Sequence, residues 1–428
     1  AGLAAAVLGG AVLVAGALVL RRFPSAIAPL ALAVAPLRLP LDVGTEHRFL
    51  VGTAEAGKLG RLHLLYLVIA LGTIALALRA LRREPLPSLP HAIALPAGLF
   101  LAVASLSLLW SRDVDASASR LAFFLLPLAL LVAVVGRAPF APWLPRALAG
   151  VLLALTSVFA AVGLWQAWSK ELLFYAPNLE VANAYTSFFR VTSLFTDPSL
   201  YGRHLILGIA VLLVLLLRRR VPLALGAALV GFLFAGLYVS YSQSSLAALF
   251  VVGAALGLLQ SGRRRRMMIA ATLAVLAVGG AGSLALAAQD ESARRFTSGR
   301  SRLASITVDV FERHPLAGVG LGAQPAASRA LVGPGAPEPR YTSHTTPLTV
   351  AAELGLVGLA AYLGLLVGAG RALFEVWRRH PTLGLSLAAV LAALVVHSLF
   401  YSGFYEDPLT WGVLALASSF LARAPAPA

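Results

Sequence analysis

The sequence predicts an all-α, polytopic integral membrane protein with 12 or 13 transmembrane helices. Its 428 residues are 59% hydrophobic and only 12% charged, whereas soluble domains are about half apolar and about a quarter charged. One membrane-spanning helix needs about 20 mostly apolar residues, so the composition suffices for roughly a dozen. The absence of cysteine excludes disulfides, thiolate nucleophiles and cysteine-based metal sites.

The number of crossings rests on thirteen apolar segments joined by more polar connections. They lie at 2–20, 23–37, 62–78, 92–110, 121–136, 147–168, 204–217, 221–240, 244–260, 267–288, 347–370, 384–403 and 408–422. The second segment is interrupted by three prolines, and the last two can form one interrupted unit, so 12 and 13 crossings both fit the pattern. The sequence shows no internal repeat, which disfavours an inverted-repeat transporter.

Basic residues fall mainly on one side of this topology. That side carries 18 arginines and only two acidic residues, a net charge of +16, which equals the net charge of the whole chain. Short basic loops remain in the cytoplasm, so we expect the basic loops and the C-terminus to be cytoplasmic. The charge therefore indicates membrane topology and no nucleic-acid partner. The arginines are Arg21, Arg22, Arg79, Arg82, Arg83, Arg137, Arg146, Arg218, Arg219, Arg220, Arg263, Arg264, Arg265, Arg266, Arg371, Arg378, Arg379 and Arg423.

Two long segments then lie outside, and the larger one divides the chain into three regions. Residues 1–288 form the first ten spans and include an external loop at 169–203. Residues 289–346 form the large external loop, and residues 347–428 form the C-terminal transmembrane helices.

The large external loop contains an amphipathic pattern. Leu303, Ile306 and Val310 recur at helical spacing, which predicts an amphipathic helix over 301–313 that lies along the bilayer surface. Pro315 ends this helix. The glycines that follow it predict a flexible turn; they are Gly318, Gly320 and Gly322.

Three motifs in this part of the chain resemble a known family. The sequence contains Thr297-Ser298-Gly299-Arg300, then Glu312-Arg313-His314-Pro315-Leu316-Ala317-Gly318-Val319-Gly320-Leu321-Gly322, and then Ser343-His344 followed by Glu353-Leu354-Gly355-Leu356-Val357-Gly358-Leu359. In order and spacing they resemble the O-antigen ligase and polymerase superfamily of bacterial membrane glycosyltransferases. The resemblance extends over roughly 189–407 and is densest over 298–359.

The resemblance implies a GT-C-like fold in the bacterial inner membrane and a role in lipopolysaccharide or other cell-envelope polysaccharide biosynthesis. Members of the superfamily transfer a glycan, with inversion and without metal or cofactor, from undecaprenyl diphosphate to an acceptor hydroxyl at the periplasmic face. The acceptor is the lipid A core for a ligase and another lipid-linked repeat unit for a polymerase. The family histidine falls on His344 and the two family arginines fall on Arg190 and Arg300.

The chain departs from the family pattern at two positions. The asparagine that often follows the family histidine is Thr345 here, and a usual Ser-Arg pair appears as Ser242-Gln243. The second departure places diphosphate binding at Gln243 in doubt.

The chemistry of these side chains suits the same roles. Guanidinium groups stay charged and bind phosphate oxygens in pairs, which fits Arg190 and Arg300 to a diphosphate leaving group. Histidine, with an ordinary pKa of about 6.5, accepts a proton near neutral pH. His344 is therefore the predicted general base for the acceptor hydroxyl.

Each candidate also has a purely structural alternative. His344 can be an interfacial histidine bonded to a carbonyl, and arginines near span ends commonly extend to lipid headgroups. Glu353 lies in an apolar segment, where an ionisable group is costly and often functional; it can serve His344 or the acceptor, or it can pair with an arginine. Arg203, Tyr201 and Gln243 are candidates for lining the site, with interfacial packing as the alternative.

Three functions remain open at this point. The first is the glycosyltransferase, as ligase or polymerase, with a slight preference for ligase. The second is a transporter or flippase of a lipid-diphosphate-linked glycan, whose external arginines would bind the same headgroup without chemistry. The third is a non-catalytic subunit of a polysaccharide assembly machine.

Overall fold

The computed structural model describes residues 2–37, 42–43, 49–50, 62–173, 177–184, 188–259, 262–263, 265–267, 293–333 and 343–422. Within these ranges the chain is almost entirely helical; a two-residue antiparallel pair joins Asp42–Val43 to Phe49–Leu50. The α-helices are α1 (Gly2–Arg22), α2 (Ile27–Val34), α3 (His63–Leu81), α4 (His91–Leu106), α5 (Val114–Arg120), α6 (Leu126–Gly136), α7 (Leu144–Ser169), α8 (Pro177–Ala184), α9 (Pro198–Leu217), α10 (Leu223–Tyr238), α11 (Gln243–Leu258), α12 (Ala293–Arg313), α13 (Gln324–Val332), α14 (Thr346–Arg379), α15 (Pro381–Ser398) and α16 (Pro408–Leu421).

The prediction of an all-α polytopic membrane protein is confirmed. Seven helices of the described residues are long and apolar enough to cross a membrane: His63–Leu81, His91–Trp110, Val114–Gly136, Leu144–Ser169, Pro198–Leu217, Thr346–Arg379 and Pro381–Ser398. A bent pair, α1 with α2, gives an eighth if it is one broken span, and α10, α11 and α16 are shorter apolar helices. Helices occupy twelve of the thirteen predicted segments. The other, 267–288, lies outside the described residues beyond Met267.

The second apolar segment is bent away from the first at Pro24, whereas Pro29 lies inside α2 and does not interrupt it. The chain turns by 106° between the end of α1 at Arg22 and the segment that starts at Pro24. A short 3-10 turn from Pro24 to Ala26 joins the two helices. Proline suits the first position of such a turn because the amide it lacks would have no partner there.

The helices of the first and third predicted regions pack into one bundle. Helix α14 packs on α4, α16 packs on α6, and α15 packs on both α9 and α11. Their buried side chains form one large apolar cluster. The C-terminal helices are therefore part of the bundle core, and the partition at 288 and 347 remains a prediction about loops.

Some of the predicted basic-side residues meet in an ion-pair network. Arg21 and Arg79 both bind Glu84, at 2.5 Å and 3.1 Å. Arg79 also donates to the backbone carbonyl of Arg137. These residues stand at the ends of α1, α3 and α6, so those three ends lie on one side of the bundle, as the charge pattern predicts.

The predicted amphipathic helix is part of α12, which extends from Ala293 to Arg313. Its apolar residue Val310 is buried against Val319, Ala323, Ala327 and Ala352. The apolar face thus packs on α13 and α14 of the protein itself. Its position relative to the bilayer surface remains a prediction.

Candidate functional site

Helix α14 is broken at Gly355, in the middle of the third family-like motif. Gly355 has φ 66° and ψ −165°, a conformation that is essentially restricted to glycine. A break of this kind leaves backbone groups without their helical partners. In a membrane protein such groups need partners from elsewhere in the protein or from a water-filled cavity.

Residues 315–322, here called the crossing segment, supply those partners. Val319 N donates to Ala352 O at 3.0 Å, and Gly320 N donates to Glu353 O at 2.8 Å. On the other side of the break, Leu356 N donates to the carbonyl of Pro315 at 2.8 Å. The second and third family-like motifs are therefore two halves of one backbone contact.

Glycines make this close crossing possible. A Cβ at Gly318 would overlap the backbone of Glu353, and a Cβ at Gly355 would overlap the carbonyl of Leu316. A Cβ at Gly320 would lie 2.5 Å from the side chain of Ser111. All three glycines also have positive φ, where larger residues are strained.

The prediction of a flexible turn at Gly318, Gly320 and Gly322 is wrong. The crossing segment is fixed on both sides, since it bonds to α14 and also to the 107–117 region. Arg112 N donates to Val319 O at 2.9 Å, and Leu321 N donates to the hydroxyl of Ser107 at 3.1 Å. Positive φ here reflects tight packing and not freedom of the backbone.

Glu353 lies directly beneath this crossing and is completely buried. Arg120 contacts its carboxylate, with 3.1 Å between Nη1 and Oε1. The Tyr405 hydroxyl donates to the other carboxylate oxygen at 3.0 Å. Arg120 also binds Glu406, with 3.2 Å between Nε and Oε1. A buried carboxylate is tolerated only when it is paired and hydrogen-bonded, and Glu353 meets both conditions.

These contacts match the pairing alternative for Glu353. It follows His344 by nine residues, which corresponds to about 13 Å along a helix axis. The partners Arg120 and Tyr405 were missed from the sequence. A structural feature marks Arg120: a π-helical turn over Leu121–Leu125 follows it directly, and such turns are frequent at functional sites.

A second buried polar cluster lies at the ends of α9, α11, α15 and α16. Arg203 of α9 forms an ion pair with Asp407, with 2.8 Å between Nη1 and Oδ2, and both side chains are almost fully buried. Asp407 also begins α16, where its Oδ1 accepts from Leu409 N. The Nε of Arg203 is buried and has no hydrogen-bond partner among the described residues.

His397, at the end of α15, belongs to the same cluster. Its Nε2 lies 3.1 Å from the Ser244 hydroxyl and 3.2 Å from the Ser199 carbonyl. Ser242 caps α11 and contacts the Ser244 hydroxyl at 3.2 Å. Three helix N-termini, those of α9, α11 and α16, thus converge beside Arg203. Helix N-termini attract negative charge, which makes this end of the bundle suitable for an anion.

Arg190 lies at the edge of this cluster. Its backbone is held by Asn183, which accepts from Arg190 N at 2.9 Å and donates to Arg190 O at 3.0 Å. Its guanidinium Nε lies 3.5 Å from the carbonyl of Ser240, two residues before the cap of α11. The predicted diphosphate ligand Arg190 is therefore positioned beside the N-terminus of α11. Gln243, the first residue of α11, is exposed.

His344 lies in the short turn that leads into α14, and it is half-buried. The turn is held by its neighbours: Ser343 N donates to the side chain of Gln324 at 3.2 Å, and Thr345 N donates to the Ser343 hydroxyl at 3.2 Å. Gln324 is buried and donates to Thr307 of α12. The His344 turn is thus attached to α12 and α13. Arg300 lies in α12, but its side chain is outside the described residues.

Tyr201 follows its packing alternative. It is completely buried, and its hydroxyl lies against Gly163 of α7 and Gly236 of α10. Since residues two apart on a helix point about 200° apart, Tyr201 and Arg203 face different sides of α9. The structure thus brings Arg203 and Asp407 together with His397, positions Arg190 beside them, and separates Tyr201 from this group.

The described residues contain no group of three histidine, aspartate or glutamate side chains that could hold a metal ion. The ionisable groups of both clusters are instead paired with one another or with backbone and hydroxyl groups.

Comparison with known families places this geometry in context. Residues 227–363 match the family model described as O-antigen ligase. The match confirms the predicted superfamily. The O-antigen ligase region includes α11, the crossing segment, His344 and the break at Gly355. No curated protein matches the chain.

The match to the O-antigen ligase family implies a membrane glycosyltransferase-type enzyme. The two buried clusters extend beyond the O-antigen ligase region, because Arg120, Arg190, Arg203 and the 397–407 segment lie outside it. The region's own motifs account for the backbone crossing and for the position of His344. Parts of the chain outside this region supply the cations Arg120, which pairs with Glu353, and Arg203, which pairs with Asp407.

Proposed function

We propose that this protein transfers a glycan from undecaprenyl diphosphate to an acceptor sugar hydroxyl at the periplasmic face of the bacterial inner membrane. The observation that carries the proposal is the match to O-antigen ligase over 227–363. It includes His344 and both halves of the backbone crossing. Those halves are the motifs from which the superfamily was predicted.

The donor end of the proposed site is the cluster around Arg203. Its three converging helix N-termini and the nearby guanidinium of Arg190 favour a diphosphate, as half-helix N-termini do for anionic substrates in other membrane proteins. The two capping aspartates, Asp197 and Asp407, offset part of this positive potential.

The proposed reaction is a single displacement with inversion. The acceptor oxygen bonds to the anomeric carbon of the glycan while the bond from that carbon to the diphosphate oxygen breaks. His344 takes the proton of the acceptor hydroxyl, and undecaprenyl diphosphate leaves as an anion. Arg190 and Arg300 stabilise the negative charge that develops on this leaving group, a contribution of about 3–4 kcal/mol per donor in a water-poor site.

Glu353 is proposed as a positioning residue. Its ion pair with Arg120 and its hydrogen bond from Tyr405 fix the short part of α14 that precedes Gly355. His344 lies in the turn that leads into that part. Arg203 is proposed to bind the donor, whereas Tyr201 and Gln243 have no role in this scheme.

A side-by-side assay tests the proposal. The purified protein is offered a lipid-linked glycan with either lipid A core or a second lipid-linked repeat unit. We expect transfer with release of undecaprenyl diphosphate, and with lipid A core as the better acceptor. His344→Ala should lower the rate about 10²–10⁴-fold, whereas His91→Ala, at an exposed position that begins α4, should leave the rate unchanged.

Two outcomes contradict the proposal. Movement of labelled donor across a bilayer with its glycosidic bond intact would favour a transporter. Full transfer activity in cells that carry only His344→Ala would favour a non-catalytic assembly subunit. Arg190→Lys provides an additional check, because a point charge replaces a planar, bidentate donor poorly.

A further inference from the structure

An apolar cavity of about 710 Å³, here called the chamber, lies between helices of the bundle. Its walls come from α2, α6, α7, α9, α15 and α16, and include Ala31, Leu131, Leu152, Val211, Leu387 and Val413. Each of these side chains is less than 10% exposed. A volume of this size lies within the range of about 300–1,000 Å³ typical of small-molecule sites.

The chamber ends in cations on the basic side of the bundle. Arg146 and Arg220 line it and are exposed, and His380 lines it and is half-buried. His380 Nδ1 accepts from Leu383 N at 3.1 Å, so in its neutral form the ring carries its proton on Nε2 and can donate there. Apolar walls with two guanidiniums at one end match an amphiphile that has an anionic head.

We propose that this chamber binds an anionic phospholipid, with an acyl chain in the apolar interior and the phosphate at Arg146 and Arg220. Basic pockets between transmembrane helices on the cytoplasmic side bind such headgroups. Distance argues against the glycan donor as the molecule whose headgroup lies at Arg146 and Arg220. Arg203 and Arg220 are 17 residues apart on α9 and the turn that follows it, about 25 Å in a helix. A donor with its diphosphate at Arg146 and Arg220 would therefore hold it far from the Arg203 cluster.

The chamber also borders the N-terminus of α16, because Pro408 and Leu409 line it. These residues directly follow Asp407, the partner of Arg203. A bound acyl chain would therefore fill space behind the N-terminus of α16. We expect the lipid to stabilise the folded protein without taking part in glycan transfer.

The test measures binding of dioleoyl-phosphatidylglycerol and dioleoyl-phosphatidylcholine to the full chain by native mass spectrometry. We expect at least tenfold preference for phosphatidylglycerol and loss of most of that preference in Arg146→Gln/Arg220→Gln. The control is Arg218→Gln/Arg219→Gln, which removes two exposed arginines that adjoin Arg220 and do not line the chamber. Equal losses in both double variants would overturn the proposal, because they would indicate general surface attraction.

A second variant tests the chamber itself. Gly412 lines it, and a Cβ at this position meets no atom within 4 Å. Gly412→Leu should therefore fold, project into the chamber and lower phosphatidylglycerol binding at least tenfold, whereas Gly98→Leu on α4, also open to a Cβ, should not. Unchanged binding in Gly412→Leu, or tighter binding of undecaprenyl phosphate than of phosphatidylglycerol to the unaltered chain, would overturn the proposal.

Discussion

Substitution of Gly355 by alanine tests whether the backbone crossing stabilises the bundle. The φ and ψ of Gly355 fall in a region that is essentially closed to residues with a Cβ, at a cost of about 1–3 kcal/mol. The new methyl group would also overlap the carbonyl of Leu316. Relief of that overlap requires the crossing segment to move away from α14.

Such a movement would break buried hydrogen bonds. The closest of them are Gly320 N to Glu353 O and Leu356 N to Pro315 O, both at 2.8 Å. A buried group left without its partner costs about 1–3 kcal/mol. We therefore expect Gly355→Ala to lower the free energy of unfolding by about 2–6 kcal/mol, the strain and one lost bond together.

Denaturant-induced unfolding in detergent micelles, followed by tryptophan fluorescence, measures this change. Gly364→Ala is the matched control, because it lies on the same helix and its Cβ would meet no atom within 4 Å. The control should be neutral or up to about 1 kcal/mol more stable, since alanine is the better helix former. Equal stabilities of the two variants would refute the role assigned to the crossing.

Three further predictions concern the ion pair, pH and metal. Arg203→Met should lower the free energy of unfolding by about 3–5 kcal/mol because it leaves Asp407 buried without its cation, and adding Asp407→Asn should recover part of that loss in the same assay. Burial and the nearby Arg112 guanidinium lower the pKa of His314, so the contribution of His314 to stability should be constant above about pH 7 and be lost as the pH drops through about 6.5. His314→Gln should remove this part of the pH dependence in unfolding curves recorded across that range. Glycan transfer should proceed at its full rate in EDTA; a requirement for added divalent cation would contradict the metal-free mechanism.

Most helices could be predicted from hydropathy, because each needs only its own apolar residues. The errors occur where a helix begins on polar residues. Helix α9 begins at Pro198 instead of 204, since Asp197 caps it and Arg203 and His204 are buried by partners from other helices. A hydropathy profile assigns such polar residues to a loop.

The candidate site was predictable only in part. The motifs make His344 and Glu353 candidates and the resemblance adds Arg190, but neither reveals that Glu353 pairs with Arg120, 233 residues earlier in the chain. A single sequence holds no record of contacts at such a separation. The glycines after Pro315 were misjudged for the same reason. Closely spaced glycines indicate a turn, and only the fold shows that a second backbone lies against this one.

The crossing has a consequence for exchanging parts between related enzymes. Since residues 315–322 complete the backbone of α14 on both sides of Gly355, an external loop transplanted at its apparent borders, 289 and 346, would arrive without the helix that its glycines fit. A graft extended through Val357 carries both faces of the junction. The intact junction is then a segment of roughly seventy residues, and the recipient must supply counterparts of Arg120 and Tyr405 to pair with Glu353.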